Sequence, residues 1–160
     1  MSMKAKTITI AAVVLFSSAI FGTAAIASAP SVPPPAAADL VIGTIDGRTH
    51  IKQDGIELKT KSSTSVASFT LTYPPGAYSG WHSHPGIVVA VVKSGAVLRQ
   101  VGCRTERFTV GDSFTEVGTH RVSNPSTSDA AVLEITQIYP SDAPARRIEQ
   151  TDPCPWRPTP

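Results

Sequence analysis

The sequence predicts an all-β domain, an antiparallel sandwich or barrel of about eight short strands, and three observations carry that expectation. Of 160 residues, 25 are Gly or Pro, a density that suits many turns. Short apolar runs recur with turn residues between them, and no stretch makes a convincing helix. Closing or doubling the sheet is how such strands avoid open edges. The length favours one domain with a core large enough to fold unaided.

Lys4 and Lys6 form a short positive region, Ile8 to Phe21 is almost wholly apolar, and small residues follow, which is the pattern of an export signal. Ala25-Ile26-Ala27 presents small residues at the positions a signal peptidase reads, so residues 1–27 are expected to be removed. The alternative is retention of Thr7 to Ala27 as an anchor, since a segment of about 20 residues reaches across a bilayer. After cleavage no stable membrane association is expected. Removing Lys4 and Lys6 from 14 basic residues leaves 12 against 12 acidic ones, so charge gives no reason to propose nucleic acid as partner.

Ser28 to Ala38, with Pro30, Pro33, Pro34 and Pro35, reads as an extended linker without packing, and the barrel domain as residues 39–140. Leu40 to Ile45 and Ile56 to Thr60 are short strands, separated by turn signals at Asp46-Gly47 and Gly55. Ser65 to Tyr73 is a third, stopped by Pro74-Pro75-Gly76 because neither proline can donate to a ladder. Ile87 to Val92 is a continuous apolar run fit for a buried strand. Ala96 to Val101, Arg107 to Val110, Ser113 to Val117 and Ala130 to Tyr139 complete the set.

The tail, residues 141–160, is polar and Pro-rich, with Trp156 beside Cys154. Cys103 and Cys154 are an even pair, and in an oxidising compartment a disulfide is the default. It would tie the tail to the body.

The chemistry concentrates in the histidines. His82 and His84, two apart on an extended chain, project to one face with Ser83 opposite, so two imidazoles can share an ion. A third ligand must come from elsewhere, and His120 is the only histidine downstream. Three nitrogen ligands hold a metal and leave positions open. His50, among Arg48, Thr49 and Lys52, reads as a surface residue. A His-x-His alone is weak evidence, but Gly76 stands six positions before His82, Gly95 eleven after His84, and Gly111-Asp112 leads to His120 and Asn124.

This arrangement resembles the paired motifs of the cupin superfamily over about Ser65 to Tyr139. It is similar in particular to small secreted bacterial cupins that share Gly-Trp-His-x-His-Pro-Gly, here Gly80 to Gly86, and a late Cys-Pro-aromatic ending, here Cys154-Pro155-Trp156. The resemblance implies a double-stranded β-helix, a jelly-roll-like barrel with His82, His84 and His120 inside its mouth. It also implies a homodimer paired through the sheets.

Two departures stand out. In many cupins a glutamate shortly after His-x-His completes the site, and Val88 and Val89 occupy its positions. Val117 stands where proline is usual, with one residue fewer between Gly111 and His120. Without the glutamate, three neutral ligands would leave the ion its full charge. Retention of all three histidines argues against a barrel that has lost its metal, because a dry interior disfavours unpaired imidazoles.

Imidazole suits several divalent ions, so the expected cofactor is one of Fe, Mn, Cu, Ni or Zn. Glu116 reads first as a solvated rim residue and second as a general base or distant ligand. Arg99 and Gln100 are adjacent on a strand, so one faces inward and either could orient a ligand. Trp81 and Phe114 read as packing before pocket lining. Two functions follow from different classes: an oxygenase-like metalloenzyme acting on a small molecule, and a non-catalytic extracytoplasmic protein that captures a small ligand or the metal itself.

Overall fold

The computed structural model describes residues 27–154; the expected export signal, Pro155 and Trp156 lie outside the described residues, apart from Ala27 at the signal's end. The strands are β1 (Ala36–Ile45), β2 (His50–Gln53), β3 (Ile56–Lys59), β4 (Thr64–Tyr73), β5 (His82–Ser83), β6 (Ile87–Ser94), β7 (Ala96–Val101), β8 (Arg104–Thr109), β9 (Ser113–Glu116), β10 (His120–Ser123), β11 (Ala131–Pro140) and β12 (Ile148–Glu149). One sheet runs β1-β4-β11-β6-β9 and the other β12-β5-β10-β7-β8, with β2-β3 a separate hairpin. Every pairing is antiparallel. The architecture is therefore all-β, a double-stranded β-helix, and among the described residues no helix is long and apolar enough to cross a membrane.

The core follows from alternation. Along β11 Ala131, Leu133, Ile135, Gln137 and Tyr139 are buried while their neighbours are partly exposed, as a strand with one face inward requires. Of these, Ala131, Leu133 and Ile135 cluster with Val88, Ala90 and Val92 of β6, Tyr73 of β4 and Val97 and Val122 from the opposite sheet. The polar Gln137 lies outside that apolar cluster and beside the histidines, its Nε2 3.4 Å from His84 Nδ1.

Two expectations need correction. Ser28 to Ala38 is extended but not unpacked: β1 already begins at Ala36, pairing with Thr72. The Ser28 amide donates to Gln150 O at 3.0 Å, and Ser31 accepts from the Tyr78 amide at 2.9 Å. Prolines cannot join a ladder, yet they make a rigid apolar strap. The strap lies so close that a Cβ on Gly80 (φ 70°) would run into the Ser28 carbonyl oxygen. Secondly, the short strands β2, β5, β10 and β12 join the eight expected, and His120 opens β10.

The tail is fastened as expected. Cys103 and Cys154 form a disulfide, and upstream of it β12 pairs with β5, placing Ile148 opposite Ser83 and Glu149 opposite His82. Sequence separation of 51 residues thus brings the C-terminal segment directly against the His-x-His strand.

Candidate metal centre

Strand pairing assembles the site. His120 is the register partner of His82, which puts β5 and β10 edge to edge. The rings of His82 and His120 have centroids 4.2 Å apart, and those of His82 and His84 4.8 Å. His82 and His120 are buried and His84 is nearly so. The three predicted histidines are thus brought together. His50 is not; it is exposed on β2 and pairs with Glu57 at 2.8 Å.

A fourth member was misread from sequence. Glu116, expected first as a solvated rim residue, is 7% exposed and its Oε2 lies 3.4 Å from both His84 Nε2 and His120 Nε2. The register explains how a site without the motif glutamate still has a carboxylate: Glu116 pairs with Val88 across β6 and β9. The acid comes from the neighbouring strand at the level where the usual one is missing, so the expectation of three neutral ligands alone is corrected. Candidate ligand atoms of His82, His84, Glu116 and His120 all lie within 4.8 Å of one another.

Each imidazole is oriented from behind. Nδ1–H of His82 donates to Gly80 O (3.1 Å), that of His84 to Arg146 O (2.7 Å) and that of His120 to Gly118 O (2.9 Å). Spending Nδ1–H on a carbonyl fixes the tautomer and turns the Nε2 lone pair inward, as in metal-binding histidines generally. Nε2 of His84 and of His120 are buried with no hydrogen-bond partner. Two lone pairs facing a carboxylate oxygen at 3.4 Å repel unless something positive stands among them.

The electrostatics agree. Burial, then the neighbouring His120 and Arg147, push the His82 pKa down to about 3, so it remains a neutral donor at physiological pH. Burial alone would push the Glu116 carboxyl up, but His120 and His84, donating to it when protonated, hold it well below the usual carboxylate range. A divalent ion replaces those protons without requiring imidazolium. Three imidazole nitrogens and one carboxylate oxygen suit such an ion, and the residues present fit it.

Behind His84, Gln137 donates from Nε2 to Arg146 O at 2.7 Å, so the side chain that breaks β11's apolar face helps hold the carbonyl that orients a ligand. Gln100 is not brought to the cluster; its amide donates to Gly102 O at 3.3 Å. Arg99 is likewise committed elsewhere, to Glu106 and Thr115 O, with its guanidinium 5.2 Å from the Phe108 ring centroid. Trp81 and Phe114 are buried, and Phe114 belongs to the core, so packing accounts for it.

Beside the cluster lies a cavity of about 280 Å³, reached by His82, His84 and Glu116, walled by Phe69, Leu71 and Ile135, and roofed by Pro30, Pro34 and Pro35 of the strap. Arg146 and Arg147 of the tail complete it. What the fold and site define is a small antiparallel barrel with a three-histidine, one-glutamate group and a partly open cavity beside it.

The family comparison agrees with that class. Residues 69–136 match the family model Cupin_2, cupin domain, which supports the cupin superfamily for the barrel. A Cupin 2 conserved barrel domain protein from Salinispora arenicola aligns at 18% identity and TM-score 0.42, over 48% of this chain and 64% of that one, just under two thirds of its length. A cupin domain from Bordetella pertussis aligns at 27% identity and TM-score 0.41, over 59% of this chain and 96% of that one. A cupin-like protein from Thermotoga maritima aligns at 20% identity and TM-score 0.44, over 56% and 77% of the two chains. A search of curated proteins finds no match.

Proposed function

We propose that this protein is an exported metal-binding cupin that holds one divalent ion on His82, His84, His120 and Glu116 and presents it to a small molecule as an oxygenase-like metalloenzyme. The observation that carries the reading is the orientation of the rings: all three Nδ1–H groups are spent on backbone carbonyls, and two inward Nε2 atoms are buried without a partner. Export is supported by the Cys103–Cys154 disulfide and by the N-terminal sequence pattern.

A redox-active ion held by His82, His84, His120 and Glu116 would supply Lewis-acid and redox chemistry to a small molecule in the cavity. The chain's own residues do the rest. Glu116 offsets part of the positive charge, Arg146 O and Gln137 keep His84 aimed inward, and the proline strap with the apolar cavity walls limits access of bulk water.

A second reading, non-catalytic capture of a small ligand, is favoured by one observation. With Glu116 spent as a ligand, the other ionisable side chains lining the cavity beyond the histidines are Tyr73, whose phenol burial pushes up, and two arginines. None is an ordinary general base. The deciding experiment is metal identification on the mature protein followed by oxygen-electrode measurements with the iron-, manganese- and copper-loaded forms. Oxygen uptake that depends on an added organic acid or phenol supports the enzyme; full zinc occupancy with ligand binding and no turnover by any loaded form supports capture.

A further inference from the structure

Two arginines from the tail line the cavity, and they differ in one respect. Arg147 is satisfied: Nε donates to Glu149 Oε1 at 2.5 Å, and Nη2 donates to Ser79 O at 2.6 Å and Glu149 Oε2 at 3.0 Å. Arg146 pairs with no carboxylate among the described residues, and its Nη1 is buried without a hydrogen-bond partner. Its guanidinium lies 5.3 Å from the Phe69 ring centroid, over an apolar wall of the cavity.

Position makes this arginine more than a loose surface residue. Its own carbonyl takes hydrogen bonds from His84 and Gln137, which fixes its backbone directly behind a candidate metal ligand. A fixed, partly buried guanidinium with a donor left over calls for an acceptor, and the acceptor that matches its planar fork is a carboxylate. The other walls, Phe69, Leu71, Val88 and Ile135, offer apolar contact only. Burying a second charge there would be costly, because the neighbouring Arg147 already spends Nε and Nη2 on Glu149 and Ser79 O.

We propose that the cavity binds a small monocarboxylate with an apolar body, its carboxylate paired with the Arg146 side chain and its body against Phe69, Leu71 and Ile135. The proposal deepens the metalloprotein reading by naming the ligand class and rests on it for placing that ligand beside the ion. The charge preference comes from Arg146 alone. A cavity of about 280 Å³ suits a molecule the size of a benzoate or a medium-length fatty acid rather than a polymer or a nucleotide.

The test uses benzoate and hexanoate as probes, each against its neutral amide, titrated calorimetrically into the mature zinc-equilibrated protein, its chelator-treated form, and the Arg146→Gln and Arg146→Lys variants. Metal content and melting temperature are measured on every sample. The expected result is at least tenfold tighter binding of one carboxylate than of its amide, with Arg146→Gln erasing that preference when compared at matched metal loading. Arg146→Lys, which keeps the charge but not the fork, should retain part of the preference and serves as the reference if the glutamine variant folds poorly.

Equal binding of acid and amide, no binding of either, or an undiminished preference in Arg146→Gln overturns the proposal. A preference abolished by chelation yet untouched in Arg146→Gln also overturns it, because the carboxylate is then held by the ion. The two readings fail separately. A protein that takes up no metal but still prefers benzoate through Arg146 loses the metal reading and keeps the carboxylate site; a metal-loaded protein without the preference does the reverse.

Discussion

Replacing Glu116 by glutamine should separate stability from metal binding, because the carboxylate is useful only when a cation stands beside it. In the metal-free protein Glu116 is almost wholly buried, and Oε2 faces two ring nitrogens at 3.4 Å. Those nitrogens are lone-pair donors while their Nδ1–H groups point to backbone carbonyls. A glutamine amide can donate to one of them, a hydrogen bond worth about 1 kcal/mol net, and it removes the cost of burying an ionised group. For a domain of this size about 1 kcal/mol shifts the melting temperature by roughly 2–6 °C.

The metal-free Glu116→Gln protein should therefore melt at the wild-type temperature or a few degrees above it. Metal affinity should move the other way. Loss of partners that merely orient a ligand costs about 10–100-fold, so loss of a charged ligand should cost at least 100-fold, or about 2.7 kcal/mol. The assay pairs calorimetric melting of the chelator-treated proteins with competition titration of zinc. A variant that melts well below wild type while binding zinc equally tightly would show Glu116 to be a structural acid and refute the reasoning.

Three further outcomes follow from other parts of the molecule. Cys103→Ser with Cys154→Ser should cost up to about 4 kcal/mol on the chain-entropy account for a separation of 51 residues. It should also weaken zinc binding roughly tenfold, because the freed tail carries the carbonyl that orients His84; unchanged zinc affinity in denaturant-free titration would detach tail from site. Gly86→Ala (φ 83°) would drive a Cβ into the Ile138 carbonyl and to 2.9 Å from Tyr139 Cα, a loss of more than about 3 kcal/mol. Gly76→Ala (φ 69°) meets open space and should lose only about 1 kcal/mol; similar urea midpoints for the two would contradict this.

The metal-free protein should also weaken in acid. His82 has a folded pKa depressed from 6.5 to about 3, so the unfolded chain binds its proton first and stability falls as pH drops below about 6.5. Melting temperatures that are flat between pH 7 and pH 4 would refute the burial of His82.

How much of this was legible in the sequence depends on whether the signal was local. β1, β3, β4, β6, β7, β8, β9 and β11 showed as short runs between turns because alternation and turn chemistry act over a few residues. The strands of two residues, β5 and β12, exist only through their partners and left no pattern. The histidines were legible because His82 and His84 sit two apart and His120 was the only downstream candidate.

Glu116 carried a clue in its spacing from Phe114: two residues apart on β9, both are buried, so the acid shares the inward face of a core residue. What no local pattern could supply was the pairing of Glu116 with Val88, which makes one strand fill a gap in another. Gln137 was similarly signalled by alternation with Leu133 and Ile135 along β11. Arg146 was not, since its place follows from a tail held by β12 and a distant disulfide. The proline strap misled for a physical reason: proline excludes ladder bonding, but it does not exclude packing.

The central claim is that His82, His84, Glu116 and His120 hold one metal ion, and element-resolved metal analysis tests it most directly. The protein from Ser28 onward, exported into an oxidising compartment, is compared with His84→Ala, His120→Ala and His50→Ala. The account predicts close to one ion per chain in the wild type and in His50→Ala, and its loss in the other two. Absence of bound metal in the wild type after equilibration with iron, manganese, copper, nickel and zinc, or equal metal in all four proteins, would contradict it.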